Sequence, residues 1–447
     1  MISIREKIGY GLGDTASNLV FQMVINFMMF FYTDVYGLSA AAVGTLMLVV
    51  RLFDGVTDPI MGGVADRTKT RWGSYRPYLL ITSIPYAILA VMTFTTPDLS
   101  DNGKLVYAYI TYALLMTAYT AVNVPYSALG GVLTSNNKER TSIQSYRFAL
   151  AMSGGALVSA FTMPMVDYFA GPDGDRQMGF QYAMGVFATL AFLCFVFCFF
   201  STKERVQPKI PKNQTFFKDI ASFKDNKPFM MLAAASFILL IMTAMRGATT
   251  PYYLTYYVGR EDLISQFLTA GMLASIAGAV SVNWFSLRFC KVQLVKFGSI
   301  MITVTHLALY YLPSSQIELI FAASMIGGFA QMLVVPIVFA MVADTADYGA
   351  LKTGSTKMAM SYSAHLLVLK FGIALGGAGA GWILAGTGYV ANQEQTELAL
   401  NGIMFTYALG AVITGVVMAV IFQFYTLTDA KMDEVHEELE SPKATTN

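Results

Sequence analysis

Apolar residues in this chain gather in twelve long runs; they do not alternate, and they do not recur at the spacing of an amphipathic helix. The runs lie near 10–34, 39–63, 75–97, 104–133, 140–168, 179–202, 228–257, 263–285, 291–312, 316–343, 358–389 and 399–425. Each reaches about 20 residues, the length a helix needs to cross roughly 30 Å of hydrocarbon. A segment that is apolar all round has no water-facing side. The pattern therefore predicts twelve membrane-spanning helices.

The polar residues inside these runs carry the next signal. The second run, SAAAVGTLMLVVRLFDGVTDPIMGGVA, holds Arg51, Asp54 and Asp58. Their i, i+3, i+7 spacing stacks them on one helical face. A carboxylate costs several kcal/mol or more to keep in lipid. Two of them one turn apart point to a pathway for a cation or a proton. The competing reading is a structural ion pair with Arg51 or Lys370.

Composition agrees. Of 447 residues, 55% are hydrophobic and 13% charged, where a soluble protein carries about 25% charged residues. With the N-terminus in the cytoplasm and the runs alternating, 22 of the 29 lysines and arginines fall on the cytoplasmic side. Three are external (Lys104, Arg176, Arg260) and four lie within runs (Arg51, Arg147, Arg246, Lys370). The positive-inside rule then places both termini in the cytoplasm. The start, Met1-Ile-Ser-Ile-Arg, leads into the first run without a small-residue cleavage site, so no cleaved signal peptide is expected. A net charge of +1 gives no reason to expect nucleic acid as a partner. Cys194, Cys198 and Cys290 read as small apolar filler. Zinc spacing, a Walker loop and a serine nucleophile elbow are all missing from the sequence, which argues against an enzyme and against a cofactor.

The longest polar interruption, 203–227, is basic and broken by Pro208 and Pro211. It divides the chain into an N-terminal six-helix bundle (1–202), a cytoplasmic linker (203–227), a C-terminal six-helix bundle (228–425) and a tail (426–447). The expected fold is an all-α membrane protein of the major facilitator type, with a substrate site at mid-membrane between the halves. The loop GGVADRTKTRWGSYRP follows the second run. Its Asp66, Arg67 and Arg71 are read as a latch on neighbouring cytoplasmic helix ends, with Asp344 and Asp347 as counterparts at the end of the tenth run. Run 11 carries Gly372, Gly376, Gly377, Gly379 and Gly381, spacing that permits close helix packing, whether static or sliding.

The chain resembles the glycoside–pentoside–hexuronide:cation symporters. The resemblance rests on KIGYGLGD (7–14), FYTDVYGLS (31–39), RLFDGVTDPIMGGVADRTKTRWGSYRP (51–77), YTAVNVPYSAL (119–129), SYRFALAMSGG (145–155), VADTADYGALKTG (342–354) and Lys370. It implies that Asp54 and Asp58 hold the coupling cation, helped by Thr57 and Thr120. It also implies that Arg147 lines the sugar site and that Lys370 lies near the cation. A bacterial inner-membrane location is implied as well. Asn18, Asn123 and Ser127 stand where the family pattern has two aspartates and a tryptophan. Asp14, one turn before Asn18, is expected to take over part of that role.

The expected function is uptake of a glycoside, pentoside or sugar acid coupled to H+ or Na+, by a monomer in the lipid bilayer. The balance leans to the proton, because Asn123 and Thr57 replace better metal ligands. Asp14, Asn18, Tyr119, Asn123, Ser127 and Arg147 form the expected sugar site. Arg246, His365 and Lys370 are a looser set that, with Arg147, would hold a carboxylate or sulfonate. The alternative for His365 is a core histidine, and for Arg147 a partner to Asp14 or Asp54. Tyr252, Tyr253, Tyr256 and Tyr257 would stack on a sugar or form an interfacial belt. If Asp54 and Asp58 bind sodium, they are the metal ligands. The other functions considered are a lysolipid symporter of the same fold and a membrane sugar sensor that does not transport.

Overall fold

A computed structural model describes residues 2–134, 137–172, 174–205, 225–353 and 358–440. Most of the expected linker, 206–224, lies outside the described residues. Among these residues, twelve helices are long and apolar enough to cross a membrane. Spans 1 to 6 are Ile4–Val35, Ala40–Arg67, Arg76–Thr93, Asp101–Val132, Ser142–Ala170 and Arg176–Ser201. Spans 7 to 12 are Lys227–Val258, Glu261–Ser286, Lys291–Tyr311, Ile317–Leu351, Ala364–Gly386 and Glu397–Gln423. The protein is an all-α, multi-pass membrane protein. An even number of crossings puts the two ends of the chain on one face, called the terminal face here.

Polar residues start the spans as the apolar runs demand. Ser39, Ser100 and Thr396 accept the N–H of Ala42, Gly103 and Ala399 through their hydroxyls. Asp175 and Asn226 do the same for Met178 and Phe229. These caps satisfy backbone donors that have no carbonyl partner at a helix start. Spans 1 and 7 end alike, in wide π turns at Phe31–Val35 and Tyr253–Val258. Prolines sit inside spans 4, 5, 7 and 10 at Pro125, Pro164, Pro251 and Pro336.

The two halves of the chain touch along three helix pairs: span 1 with 7, span 2 with 11, and span 5 with 8. The 2–11 pair is antiparallel and very close. A Cβ on Gly44 would lie 2.7 Å from the Ala378 carbonyl, and one on Gly381 would lie 2.4 Å from the Ala40 carbonyl. Only glycine allows that approach. The largest apolar core runs through the first half and continues into Tyr252, Tyr253 and Tyr407 of the second, on the face away from the termini. A separate core at the terminal face of the second half includes Met432 and Val435 of a last helix, Asp429–Glu440, which is thereby docked on spans 9 and 10.

Candidate functional site

Span 2 carries its carboxylates to the seam with span 11. Asp54 is fully buried, while the Asp58 side chain keeps about a quarter of its surface, 26%. The Thr120 hydroxyl reaches both, at 2.6 Å from Asp54 Oδ1 and 3.1 Å from Asp58 Oδ1. Lys370 enters from the other half, donating to Asp54 Oδ2 at 3.3 Å and pairing directly with Asp58. Two acids and one ammonium carry a net charge of −1, so one added positive charge neutralises the cluster.

Two residues expected here behave differently. The Thr57 hydroxyl donates to the Asp54 carbonyl at 3.0 Å. It is turned along its own helix, as threonines in helices often are, and does not join the carboxylate oxygens. Arg51 lies over the Phe21 ring at 4.9 Å and forms no ion pair with Asp54 or Asp58. The structural pairing considered for the acids is therefore made with Lys370 alone.

A second polar cluster lies among spans 1, 4 and 5. Arg147 Nε donates to Asp14 Oδ2 at 2.7 Å, and its guanidinium covers the Tyr126 ring at 5.2 Å. Asn18 donates to the Asp14 carbonyl at 2.9 Å. Asn123 donates to the Tyr119 hydroxyl at 3.1 Å, and Ser17 reaches Asn123 Oδ1 at 3.5 Å. Tyr119 stacks on Phe21. Pro125 frees this part of span 4 from regular backbone pairing. Ser127 is exposed and forms no hydrogen bond among the described residues. Tyr126 and Ser17 belong to this cluster and were not singled out in the sequence; both sit within or beside the quoted motifs.

Arg147→Gln is expected to weaken sugar binding at least tenfold and to lower the amount of protein in the membrane, because it strands Asp14. Asp14→Asn combined with Arg147→Gln should restore the amount but not the binding. Binding assays on detergent-purified protein check both. Unchanged affinity in the double variant removes the pair from the sugar site.

The looser set separates. His365 is fully buried with its ring edge-on to Phe339, and neither ring nitrogen has a hydrogen-bond partner among the described residues. It belongs to the core of the second half, away from the sugar cluster. Lys370 belongs to the carboxylate pair. Arg246 donates to Ser324 Oγ at 2.8 Å and lies over Tyr407. Of the four tyrosines after Pro251, Tyr253 stacks on Tyr407 at 4.0 Å, the Tyr252 hydroxyl meets that of Thr33, Tyr256 donates to Asp34 and Tyr257 donates to the Leu312 carbonyl at 3.2 Å.

Asp34 was not among the expected residues. It sits in the π turn that ends span 1, on the face away from the termini. Its carboxylate accepts from the Tyr389 hydroxyl at 2.7 Å on both oxygens, from Thr33 at 2.6 Å and from Tyr256. Asn392 donates to its carbonyl at 2.8 Å, and Thr33 meets the Tyr252 hydroxyl at 2.6 Å. Arg176 of span 6 pairs with Glu261 of span 8 at 2.6 Å on the same face. The two halves are thus stitched together there. The sequence signal was present in FYTDVYGLS, where an acid interrupts the end of an apolar run.

At the terminal face, Asp66 accepts from the Tyr75 hydroxyl at 2.7 Å. Burial, and then the Asp66 carboxylate, push that hydroxyl well above its ordinary pKa, so it stays a donor. Arg71 rests on Trp72, and Arg67 is exposed. The loop between spans 2 and 3 is held by a residue the sequence did not point out. Glu204 accepts the backbone N–H groups of Ser74, Tyr75 and Arg76 at 2.8, 2.8 and 3.0 Å. An anion at a helix start is favoured by the free N–H groups and the dipole there. Gly73, at φ 112°, leaves room for this carboxylate. Asp344 pairs with Lys291 of span 9, and Asp347 lies one turn further along span 10. Asp344 forms no ion pair with Arg67 or Arg71 among the described residues.

The family model described as MFS/sugar transport protein matches residues 9–429. The chain belongs to that family. It is 37% identical to the inner membrane symporter YicJ of Escherichia coli (strain K12), over 99% of this chain and 96% of that protein. It is 32% identical to the isoprimeverose transporter of Lactiplantibacillus pentosus, over 98% of this chain and 91% of that one. The fold matches the crystal structure of a D-xylose-proton symporter with a TM-score of 0.67 at 12% identity, over 93% of this chain and 96% of that one. The family is one of membrane transporters, so this chain is a plasma-membrane sugar symporter and not an enzyme.

Proposed function

We propose that the chain imports a glycosidic sugar together with protons, with Asp58 as the proton carrier and Asp54 and Lys370 as its fixed neighbours. The Lys370 ammonium between the two carboxylates carries this reading. It occupies the position a metal ion would take, and Thr120 already donates to both acids. A sodium ion would have to displace the ammonium and would find the Thr57 hydroxyl turned away. A proton needs a single oxygen, and Asp58 is the carboxylate that solvent reaches.

Protonation of Asp58 takes the cluster from −1 to neutral and weakens its hold on Lys370. Because Lys370 belongs to the other half, this loosens the seam between the halves. The sugar sits in the Asp14, Asn18, Tyr119, Asn123 and Arg147 cluster. That cluster rests on spans 1, 4 and 5, and span 4 also supplies Thr120 to the acids. Occupation of either site therefore biases the same helix, and the coupling is reciprocal by linkage. The terminal face is the cytoplasmic one, since it carries 22 of the 29 lysines and arginines.

Addition of a transported sugar to de-energised cells in weakly buffered medium should raise the external pH. Sugar affinity at fixed pH should be indifferent to sodium. A sharp rise in affinity with millimolar sodium and no proton uptake makes Asp54 and Asp58 a sodium site instead.

A further inference from the structure

We propose that Gln22 and Asn26 of span 1 are specificity-determining residues that hydrogen-bond the part of a sugar lying beyond the Asp14 and Asn18 cluster; this rests on the symport reading above and adds two contacts to its site. Between Thr15 and Phe30 every residue of span 1 is buried except Asn18, Phe21, Gln22, Ile25 and Asn26. Their spacing of i, i+3, i+4, i+7 and i+8 places all five on a single helical face.

That face does not look into lipid. Phe21 stacks on Tyr119 of span 4, and Arg51 of span 2 lies over the Phe21 ring. A Cβ on Gly155 of span 5 would lie 3.1 Å from Gln22 Nε2 and 2.8 Å from Met272 Cε of span 8. One on Gly247 of span 7 would lie 3.3 Å from Ile25 and 3.6 Å from Asn26 Oδ1. Spans from both halves therefore ring this face, and the surface left open on it belongs to the crevice between them.

The face carries three carboxamides at i, i+4 and i+8. Asn18 is engaged with the Asp14 carbonyl at 2.9 Å. Gln22 and Asn26 are idle: neither side chain forms a hydrogen bond among the described residues. Each offers two donor hydrogens and an oxygen with two lone pairs. Such a group inside a membrane protein costs free energy unless something bonds to it. Water can serve it while the crevice is open. A ligand that expels the water has to bring hydroxyls in its place.

Gln22 stands about 6 Å and Asn26 about 12 Å beyond Asn18 along the helix, at 1.5 Å per residue. Both lie between the sugar cluster and the Asp34 clasp. A sugar whose first ring is held by Asp14, Asn18 and Arg147 meets Gln22 and Asn26 with whatever that ring carries. A carboxamide sets a donor beside an acceptor, which matches two adjacent hydroxyls. An aromatic ring in the same place would strand both amides, and a site built to hydrogen-bond hydroxyls rejects an analogue that lacks them.

Counterflow in proteoliposomes tests this with two pairs of probes, cellobiose against phenyl β-glucoside and xylobiose against phenyl β-xyloside. The members of a pair share their first ring; the second is hydroxylated in one and aromatic in the other. The wild type should prefer the disaccharide at least tenfold, about 1.4 kcal/mol. Gln22→Met with Asn26→Leu keeps similar shapes without polar atoms. It should weaken the disaccharide at least tenfold and tighten the phenyl glycoside, a gain that misfolded protein cannot show. Asn26→Ser, which keeps a donor and an acceptor, should retain part of the preference. A wild type that takes both members equally well overturns the proposal and leaves the symport reading intact. A preference that survives in the double variant also overturns it, because other groups then read the second ring. Equal loss of both members in the double variant, with Asn26→Ser unaltered, overturns it too, because the amides then serve the fold. If neither pair exchanges in the wild type, the symport reading falls along with the proposal.

Discussion

Asp58→Asn is expected to abolish accumulation of sugar against a gradient while leaving exchange of sugar for sugar in place. One charge moved across 100 mV supplies about 2.3 kcal/mol, which supports roughly a 50-fold gradient. The variant should therefore fall from about 50-fold accumulation to none. Exchange survives because the neutral amide resembles the protonated acid. Asp54→Asn should lose accumulation too, since it removes the fixed charge that anchors Lys370. Lys370→Met leaves two carboxylates facing each other with no cation, so it should be made poorly. Adding Asp54→Asn to it should restore expression. Uptake in vesicles with an imposed potential, beside exchange in the same vesicles, checks the set. Undiminished accumulation in both single aspartate variants removes the acids from the coupling step.

Weakening the contacts of Asp34 is expected to open the face away from the termini. Tyr256→Phe with Tyr389→Phe deletes the hydroxyl donors that reach its carboxylate from the second half. Hydrogen bonds to a charged group contribute about 1.5–3 kcal/mol each, so the closed arrangement should lose at least tenfold in population. The readout is a cysteine at Gln22 in a background with Cys194, Cys198 and Cys290 replaced. An impermeant maleimide applied from that face should label it at least ten times faster than in the parent. An unchanged labelling rate shows that the clasp does not hold that face closed.

The sequence carried the spans well and the partnerships poorly. A run of apolar residues identifies a membrane helix whatever surrounds it, and the structure has a helix at every run. Helix ends were less visible: the tenth run stops at residue 343, yet the helix continues to Thr353. A helix leaving the membrane keeps its backbone bonds but no longer needs apolar side chains. Of the site, Asp54 and Asp58 were readable because two acids one turn apart in lipid have few uses. Their pairing with Lys370 was named as a possibility, yet a separation of 312 residues leaves no local trace of it. Thr57 was assigned as a ligand by the family resemblance, but a hydroxyl on a helix always has its own backbone as a rival acceptor. His365 was drawn into the site because charged and polar residues in a membrane attract suspicion, and burial in apolar packing was invisible. Asp34 and Glu204 were missed for one reason. Each is an acid near a run's end, where acids are common, and only the fold shows that backbone or tyrosine donors converge on it.

The glycine contact between spans 2 and 11 has a mechanical consequence. It brings the backbones of the two halves close enough to exclude a Cβ, so a tilt of one half on the other would pivot there. Lys370 stands roughly 16 Å away along span 11 at 1.5 Å per residue. A turn of about 15°, the size of a well-known subunit rotation, swings the ammonium by about 4 Å at the end of that arm. That is more than a hydrogen bond's length of roughly 3 Å. A modest tilt is enough to carry Lys370 clear of both acids, so on the symport reading proposed above this lever would turn the loss of one ion pair into a change of which face is open.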